Sequence, residues 1–326
     1  MSPSFTLRRL PANPIIVPAM LPGHDGDNIN GPSLIEAPHW LPRRLARFYL
    51  YFAHHRGRCI RLAVADRLEG PWRIVEGGSL RLDQAPGCQD HIASPDVHVD
   101  EARKQVVMYF HGPAVDWRQE LTFVARSGDG IAFQADRDPV AQFYFRAVRW
   151  RQYWVGMSKG GLLYLSDDDG AQFHGLRRPA FPMRHPLANA PGDVRHVALK
   201  RVGDTLLVFH SRIGDTPECI RLAAIDLARP LADWQAGASV VVLQPAEPWE
   251  GADLPVEPSV FGPSSGREHA LRDPAVFDVD GQSYLLYATA GESGIGIAQF
   301  MSPPGRPRRP SASAPGQPSN PLQETP

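Results

Sequence analysis

The chain has 326 residues, 43% of them hydrophobic, and a formal net charge of −1. Charge this evenly balanced excludes an electrostatic bid for nucleic acid or for an anionic membrane surface. No apolar run approaches the length of a membrane span, and the amino terminus lacks a basic start followed by an apolar core, so no membrane partner and a cytoplasmic location are expected.

Residues 5–17 are apolar enough to pair as a strand. From residue 31 onward the chain repeats itself, which points to an array of one supersecondary unit. The first copy, 31–75, has an apolar strand at 32–35, the aromatic strand Tyr49-Leu50-Tyr51-Phe52-Ala53-His54, then Cys59-Ile60-Arg61-Leu62-Ala63-Val64-Ala65-Asp66, and Trp72 ahead of an outer strand. The second, 93–135, places the same parts at 95–99, 107–112 and 121–125, with Phe133. The third, 143–175, places them at 145–148, 153–158 and 162–165, with Phe173. In the fourth, 194–236, the strands are 194–199, 206–211 and Cys219-Ile220-Arg221-Leu222-Ala223-Ala224-Ile225-Asp226, with Trp234; in the fifth, 272–300, they are 274–279, 284–289 and 294–298.

Asp/Gly turns such as Val279-Asp280-Gly281 join the first two strands, which is hairpin chemistry. Copies roughly 45 to 80 residues apart match propeller blades. No stretch carries a helical apolar stripe. The expected fold is therefore all-β: a five-bladed β-propeller over residues 1–301, four antiparallel strands per blade, with the amino-terminal strand closing the ring and hiding an edge. Residues 302–326, rich in Pro, Ser and Gly, are expected to be disordered. Cys59 and Cys219 fall at equivalent places in separate blades and Cys88 in a loop, so all three are expected to be free thiols of a reducing compartment.

In such a meander the blade-to-blade connections and the ends of the second strands share one face. Those connections are the long ones (20–31, 82–94, 134–144, 176–193 and 235–271), and long loops on a rigid scaffold concentrate function. The face gathers Asp27, Asn30, His54 and His55 from blade one, and His91, Asp96 and His111 from blade two. It adds Arg146 from blade three, Asp193, Arg195, His196, His210 and Arg212 from blade four, and Arg272 and Asp273 from blade five, with Glu250, Asp253 and Glu257 in the preceding loop. Singly, each has a bland reading as a turn former or an ion-pair partner. Together they form a mouth of acids, histidines and arginines. Acids in one mouth can split their pKa values by repulsion and desolvation. No ligand spacing demands a metal; no cofactor is expected, although a structural divalent cation on the axis would fit the crowding of acids and histidines.

The run Ser94-Pro95-Asp96-Val97-His98-Val99 resembles the second-blade motif of five-bladed glycoside hydrolases such as family 43, in which the Asp tunes the catalytic acid. Leu271-Arg272-Asp273-Pro274 resembles the Arg-Asp-Pro strand openings of families 32, 43, 68 and 117. The resemblance spans roughly residues 10–300 and implies a carbohydrate substrate cleaved by an inverting carboxylate mechanism. The chain departs from family 43 in two places: Gly31 stands where that family has an Asp before Pro-Ser, and no Glu-Gly-Pro motif occurs near blade four. The resemblance then gives Asp27 as base, Asp96 as modulator and Glu257 as acid, with Glu250 or His196 as alternatives for the acid. Substrate contacts fall to Asn30, His54, His91, Arg146, Arg195, His196, Arg272 and Asp273. The arginines suit a bidentate grip on an acidic sugar, or else they brace the neighbouring acids. Two further readings stay open: a phosphorylase similar to family 130, with phosphate in the Arg/His ring, and a non-catalytic carbohydrate-binding propeller.

Overall fold

The structure is a computed structural model that describes residues 5–182 and 189–302. Strand β1 (Thr6–Arg9) comes first. Blade one follows as β2 (Asn30–Glu36), β3 (Phe48–Ala53), β4 (Cys59–Ala65) and β5 (Arg73–Arg81). Blade two is β6 (Ala93–Asp100), β7 (Gln105–Pro113) and β8 (Glu120–Ser127), its outer strand broken into β9 (Gln134–Ala135) and β10 (Ala141–Gln142). Blade three is β11 (Arg146–Trp150), β12 (Tyr153–Ser158), β13 (Leu162–Ser166) and β14 (His174–Pro179). Blade four is β15 (Val194–Val202), β16 (Thr205–Arg212), β17 (Ile220–Asp226) and β18 (Val240–Leu243). Blade five is β19 (Arg272–Val279), β20 (Gln282–Ala288) and β21 (Ile295–Met301). Its fourth strand is β1, which runs antiparallel to β21 with Thr6 opposite Met301. The fold is the five-bladed, all-β propeller read from the repeats; the helical elements among the described residues are short 3₁₀ turns. The tail expected to be disordered lies, from residue 303, outside the described residues.

The aromatic second strands are apolar at every position rather than alternating, and the packing explains why. In β3, Tyr49, Tyr51 and Ala53 face blade two, while Phe48, Leu50 and Phe52 face blade five. A strand covered on both faces has no solvent side to make polar. The buried apolar residues fall into five clusters, one between each pair of neighbouring blades. Trp72, Phe133 and Trp234 are buried just ahead of the outer strands, as their position in the repeat requires. All three cysteines are free thiols.

What positions the site is an irregularity shared by the first strands. Register against the second strand slips between Asn30 and Ser33, Ala93 and Asp96, Val194 and Val197, and Arg272 and Ala275. Gly31, Ser94 and Asp273 sit in these slips with φ of 58°, 47° and 46°, and Tyr144, just ahead of β11, has φ 54°. Bulges re-aim side chains and increase local twist. Here they turn the openings of the first strands toward the axis.

Candidate functional site

Asp273 is the left-handed residue of the blade-five bulge and is 2% exposed. Aspartate tolerates this conformation better than most residues. Its backbone N–H donates to His196 Nδ1 at 3.3 Å, and its Oδ1 stands 3.4 Å from His196 Nε2. An Nδ1 that accepts leaves the ring proton on Nε2, facing the carboxyl group. Burial, then the charges of Arg195 and Arg272, holds His196 well below its ordinary pKa, so the ring is neutral. Tyr144 packs edge-on against it at 4.5 Å.

The other acid at this point is Glu292, in the hairpin between β20 and β21, and it is 1% exposed. Asn28 Nδ2 donates to its Oε2, and the Ser264 N–H does so at 3.3 Å. His55 Nδ1 lies 3.4 Å from Oε1, and an Arg272 nitrogen lies 3.7 Å from it. Asn28 also accepts from the His55 N–H at 2.9 Å and from Asn30 Nδ2 at 3.2 Å, which fixes the surrounding loop. Burial raises Glu292, but the His55 and Asn28 hydrogen bonds and the Arg272 charge outweigh it and bring the group down to about 2. Asp273 goes the other way. Burial and the repulsion of Glu292 push it up to about 7, against the pull of Arg195, Arg146 and His55. The two carboxyl groups are thus pushed in opposite directions, and between about 2 and about 7 one is ionised while the other keeps its proton.

Asp96 belongs to the same axis, nearer the opposite face. Its Oδ2 accepts from His98 Nε2 and the Ala147 N–H, both at 2.8 Å, and Arg146 Nε is 4.0 Å from its Oδ1. Burial raises its pKa, but His98 and Arg146 prevail and keep it below the ordinary value. A cavity of about 570 Å³ runs along the axis from Asp96 and Arg146 toward Glu36, Lys200 and Asp278 on the far face. It meets the cluster at those two residues, and Asp273 and Glu292 are outside its lining.

Several buried polar atoms in this region have no hydrogen-bond partner: Asn30 Oδ1, His111 Nδ1, Arg146 Nε, His196 Nε2 and Asp273 Oδ2. Buried polar atoms are nearly always satisfied in folded proteins. These atoms have capacity left for further polar contacts.

The remaining sequence-predicted residues fall elsewhere or into supporting roles. Asp27 is 65% exposed and pairs with His24 at 2.8 Å, so the proposed base stands outside the buried cluster. Glu257 is exposed, on a surface cavity of about 340 Å³ beside Arg267 and His269, so the proposed acid is outside it too. Chain position in a long loop fixes a face but not a depth. Glu250 is buried, yet it is engaged by Arg9, the Tyr287 hydroxyl and two backbone N–H groups. His54 lines an outer cavity of blade one; its neighbour His55 is the one that meets Glu292. His91 pairs with Glu120 at 3.2 Å. Arg195 and Arg272 both donate to Glu218, at 3.1 and 2.7 Å; Arg195 also donates to backbone carbonyls, and Arg272 to Ser264 and Glu268. Arg146 spends Nη1 on the carbonyls of Pro95 and Ser94. Sequence reasoning missed Glu292 and Glu218, both in hairpins between second and third strands. Among the described residues, no group of three or more His, Cys, Asp or Glu side chains is arranged to hold a metal ion.

No family model matches the chain. It is 33% identical, over 322 residues, to the uncharacterized protein R118 of Acanthamoeba polyphaga mimivirus, covering 90% of this chain and 89% of that one. Among solved structures it is similar to a member of the GH130 family of mannoside phosphorylases, described as containing glycoside hydrolases that target beta-1,2 mannosidic linkages in Candida mannan. That likeness has a TM-score of 0.64 at 11% identity and covers 95% of this chain and 96% of that one. A putative glycoside hydrolase from Parabacteroides distasonis superimposes with a TM-score of 0.62 at 12% identity, over 92% and 97% of the two chains. A thermostable family-43 glycoside hydrolase does so at 0.57 and 13%, over 84% and 88%. At such identities the likeness carries the fold: the chain has the five-bladed fold of glycoside hydrolase families 43 and 130.

Proposed function

Given that this chain belongs to the family of the uncharacterized mimivirus protein R118, we propose from its own axial site that it acts on a glycosidic bond. The observation that carries the reading is the Asp273–Glu292 pair. The two buried carboxyl groups repel each other and are pushed in opposite directions, Asp273 up and Glu292 down, and Asp273 Oδ2 has no hydrogen-bond partner. Glycoside cleavage needs that division of labour. Asp273, pushed up to about 7, keeps its proton through much of the neutral range and gives it to the leaving oxygen. Glu292 stays ionised and, through Oε1, orients a water for attack from the other side of the sugar, the inverting course. Asp96, 4.0 Å from Arg146, shares that arginine's charge with Asp273 and so bears on the proton of Asp273.

The fold likeness to hydrolases of families 43 and 130 supports this reading. Screening aryl glycosides and oligosaccharides for turnover tests it. Asp273→Asn should lower kcat by about 10²–10⁴ with the circular dichroism spectrum unchanged, and the anomeric form of the first product, read by NMR, decides inversion. Wild-type protein that binds a glycan and never cleaves it would overturn the reading and leave a binding propeller.

A second reading is favoured by one observation. Arg146 Nε and His196 Nε2 make no hydrogen bond within the chain and both bear on Asp273, a setting that would also hold inorganic phosphate as the attacking group. Turnover that requires phosphate and releases a sugar 1-phosphate would establish it. Arg195 and Arg272 are committed to Glu218, so a grip on an acidic sugar rests on Arg146.

A further inference from the structure

The internal repeat supplies its own control for a second site, away from the axis. Arg61 on β4 and Arg221 on β17 hold the same place in the two Cys-Ile-Arg-Leu-Ala strands, opposite Phe52 and His210 of their second strands. In blade four the guanidinium is met by a carboxylate from the preceding hairpin: Asp215 accepts from Arg221 Nε at 2.7 Å and Nη2 at 3.1 Å. The blade-one hairpin has no acid. It reads His54-His55-Arg56-Gly57-Arg58, and His55 is turned inward to Glu292.

Arg61 is consequently buried without a counter-carboxylate. It is 4% exposed, donates to the backbone carbonyls of Asp25, Asn28 and Ala53, and lies over the Phe52 ring at 4.7 Å. Its Nε has no partner. Burial without compensation drops its pKa to about 10, and a buried cation left this way is costly unless something neutralises it. Against it opens a cavity of about 640 Å³, whose wall also carries Arg56 and Arg58. Both are exposed, and among the described residues neither has a carboxylate within ion-pair distance. Arg81 in the same wall is closed on Asp83. Asp25 and Glu76 also line the cavity without ion-pairing to these arginines, so the wall offers acceptors as well as cations.

We propose that this cavity binds a small polyhydroxylated anion, a carboxylate- or phosphate-bearing sugar. Its charged group is held by Arg61, Arg56 and Arg58, and its hydroxyls by Asp25 and Glu76. The free guanidinium forks of Arg56 and Arg58 match such oxyanions, and Arg61, whose Nη atoms are held by backbone carbonyls, adds its charge and its Nε. The site stands whether or not the axial carboxyl groups cleave a glycoside.

Isothermal titration of the full chain with glucuronate, glucose 6-phosphate, inorganic phosphate and glucose tests it. The anionic sugars should bind at millimolar concentration or below and glucose should not; whichever anion binds more tightly identifies the charged group. The doubly substituted Arg56→Ser, Arg58→Ser chain, altered only at exposed positions, should lose at least tenfold in affinity while melting as the wild type does. Arg61→Lys should lose affinity too, with its fold checked by circular dichroism. Asp273→Asn and Glu292→Gln should bind as before, because the ligand is not on the axis. The proposal falls if no anionic probe binds, if glucose binds as well as glucuronate, if the double substitution leaves affinity unchanged, or if the axial variants abolish binding.

Discussion

At the scale of single residues, the site rests on what burial does to two carboxyl groups. A carboxyl whose folded pKa lies above its unfolded value binds more protons when folded. Its stabilising contribution is complete below the unfolded value near 4 and is lost as pH rises through the folded value. For Asp273 that window runs from about 4 to about 7. Glu292, brought down to about 2, stays ionised across it and adds no slope there. Asp273→Asn cannot ionise. It should therefore match the wild type near pH 4 and melt several degrees higher near pH 8, on the order of 4 kcal/mol more stable, even as activity is lost. Thermal melts of both proteins across the pH range check this. Gly31 is the counterpart in blade one of Asp273. Its φ is 58°, and a Cβ there would stand 2.9 Å from Ser94 Cα, which is backbone and cannot swing away. That contact explains why the acid found before Pro-Ser in family 43 has no place here. Gly31→Ala should cost about 1–3 kcal/mol in a denaturant melt, and Gly31→Asp should cost at least as much without restoring activity to Asp273→Asn.

At the scale of elements, the strands were legible because each blade repeats one pattern, and because two covered faces turn a strand into a continuous apolar run such as Tyr49-Leu50-Tyr51-Phe52. Asp96, Asp273, Arg146 and His196 were legible as axial for a related reason. They open first strands, and the bulges aim that position inward. Glu292 and Glu218 were not, because the hairpins that follow second strands also reach this face. Reading the aromatic strands only to their ends stops short of Gly291-Glu292 and Pro217-Glu218. Asp27 and Glu257 stay at the surface: loop membership says nothing about which side chain is pulled under cover. One element carries a lock that no pattern announced. Arg9 of β1 reaches Glu250 with Nε at 2.8 Å and Nη2 at 2.7 Å, and the Tyr287 hydroxyl donates to the same carboxylate at 2.8 Å. Arg9→Ala leaves a fully buried charge half satisfied and should cost about 2–4 kcal/mol; Arg9→Ala with Glu250→Gln should recover part of it. A double-mutant cycle by urea denaturation measures the coupling.

At the scale of the whole molecule, stability is divided among five interblade cores, and the blades differ in what they add to the axis. Blade five gives Asp273 and Glu292, blade four the histidine and an arginine, blade two Asp96, blade three Arg146, and blade one the asparagines and His55. The ring that holds them together is joined at one seam. Thr6 pairs with Met301, Arg9 with Ala298, and the Asn13 side chain exchanges two hydrogen bonds with the backbone of Ile297. Pairing segments this far apart along the chain closes a very long loop, so the seam should be a late event in folding and an early one in opening. Amide exchange should then detect β1 and β21 ahead of the inner strands of blades one and two. Because the seam brings the two ends of the ring side by side, the order of blades along the chain is not what the architecture depends on. A circularly permuted chain, with a flexible linker across the seam and new ends cut in the exposed turn 101–104 between β6 and β7, should fold to the same disc with its axial residues in register.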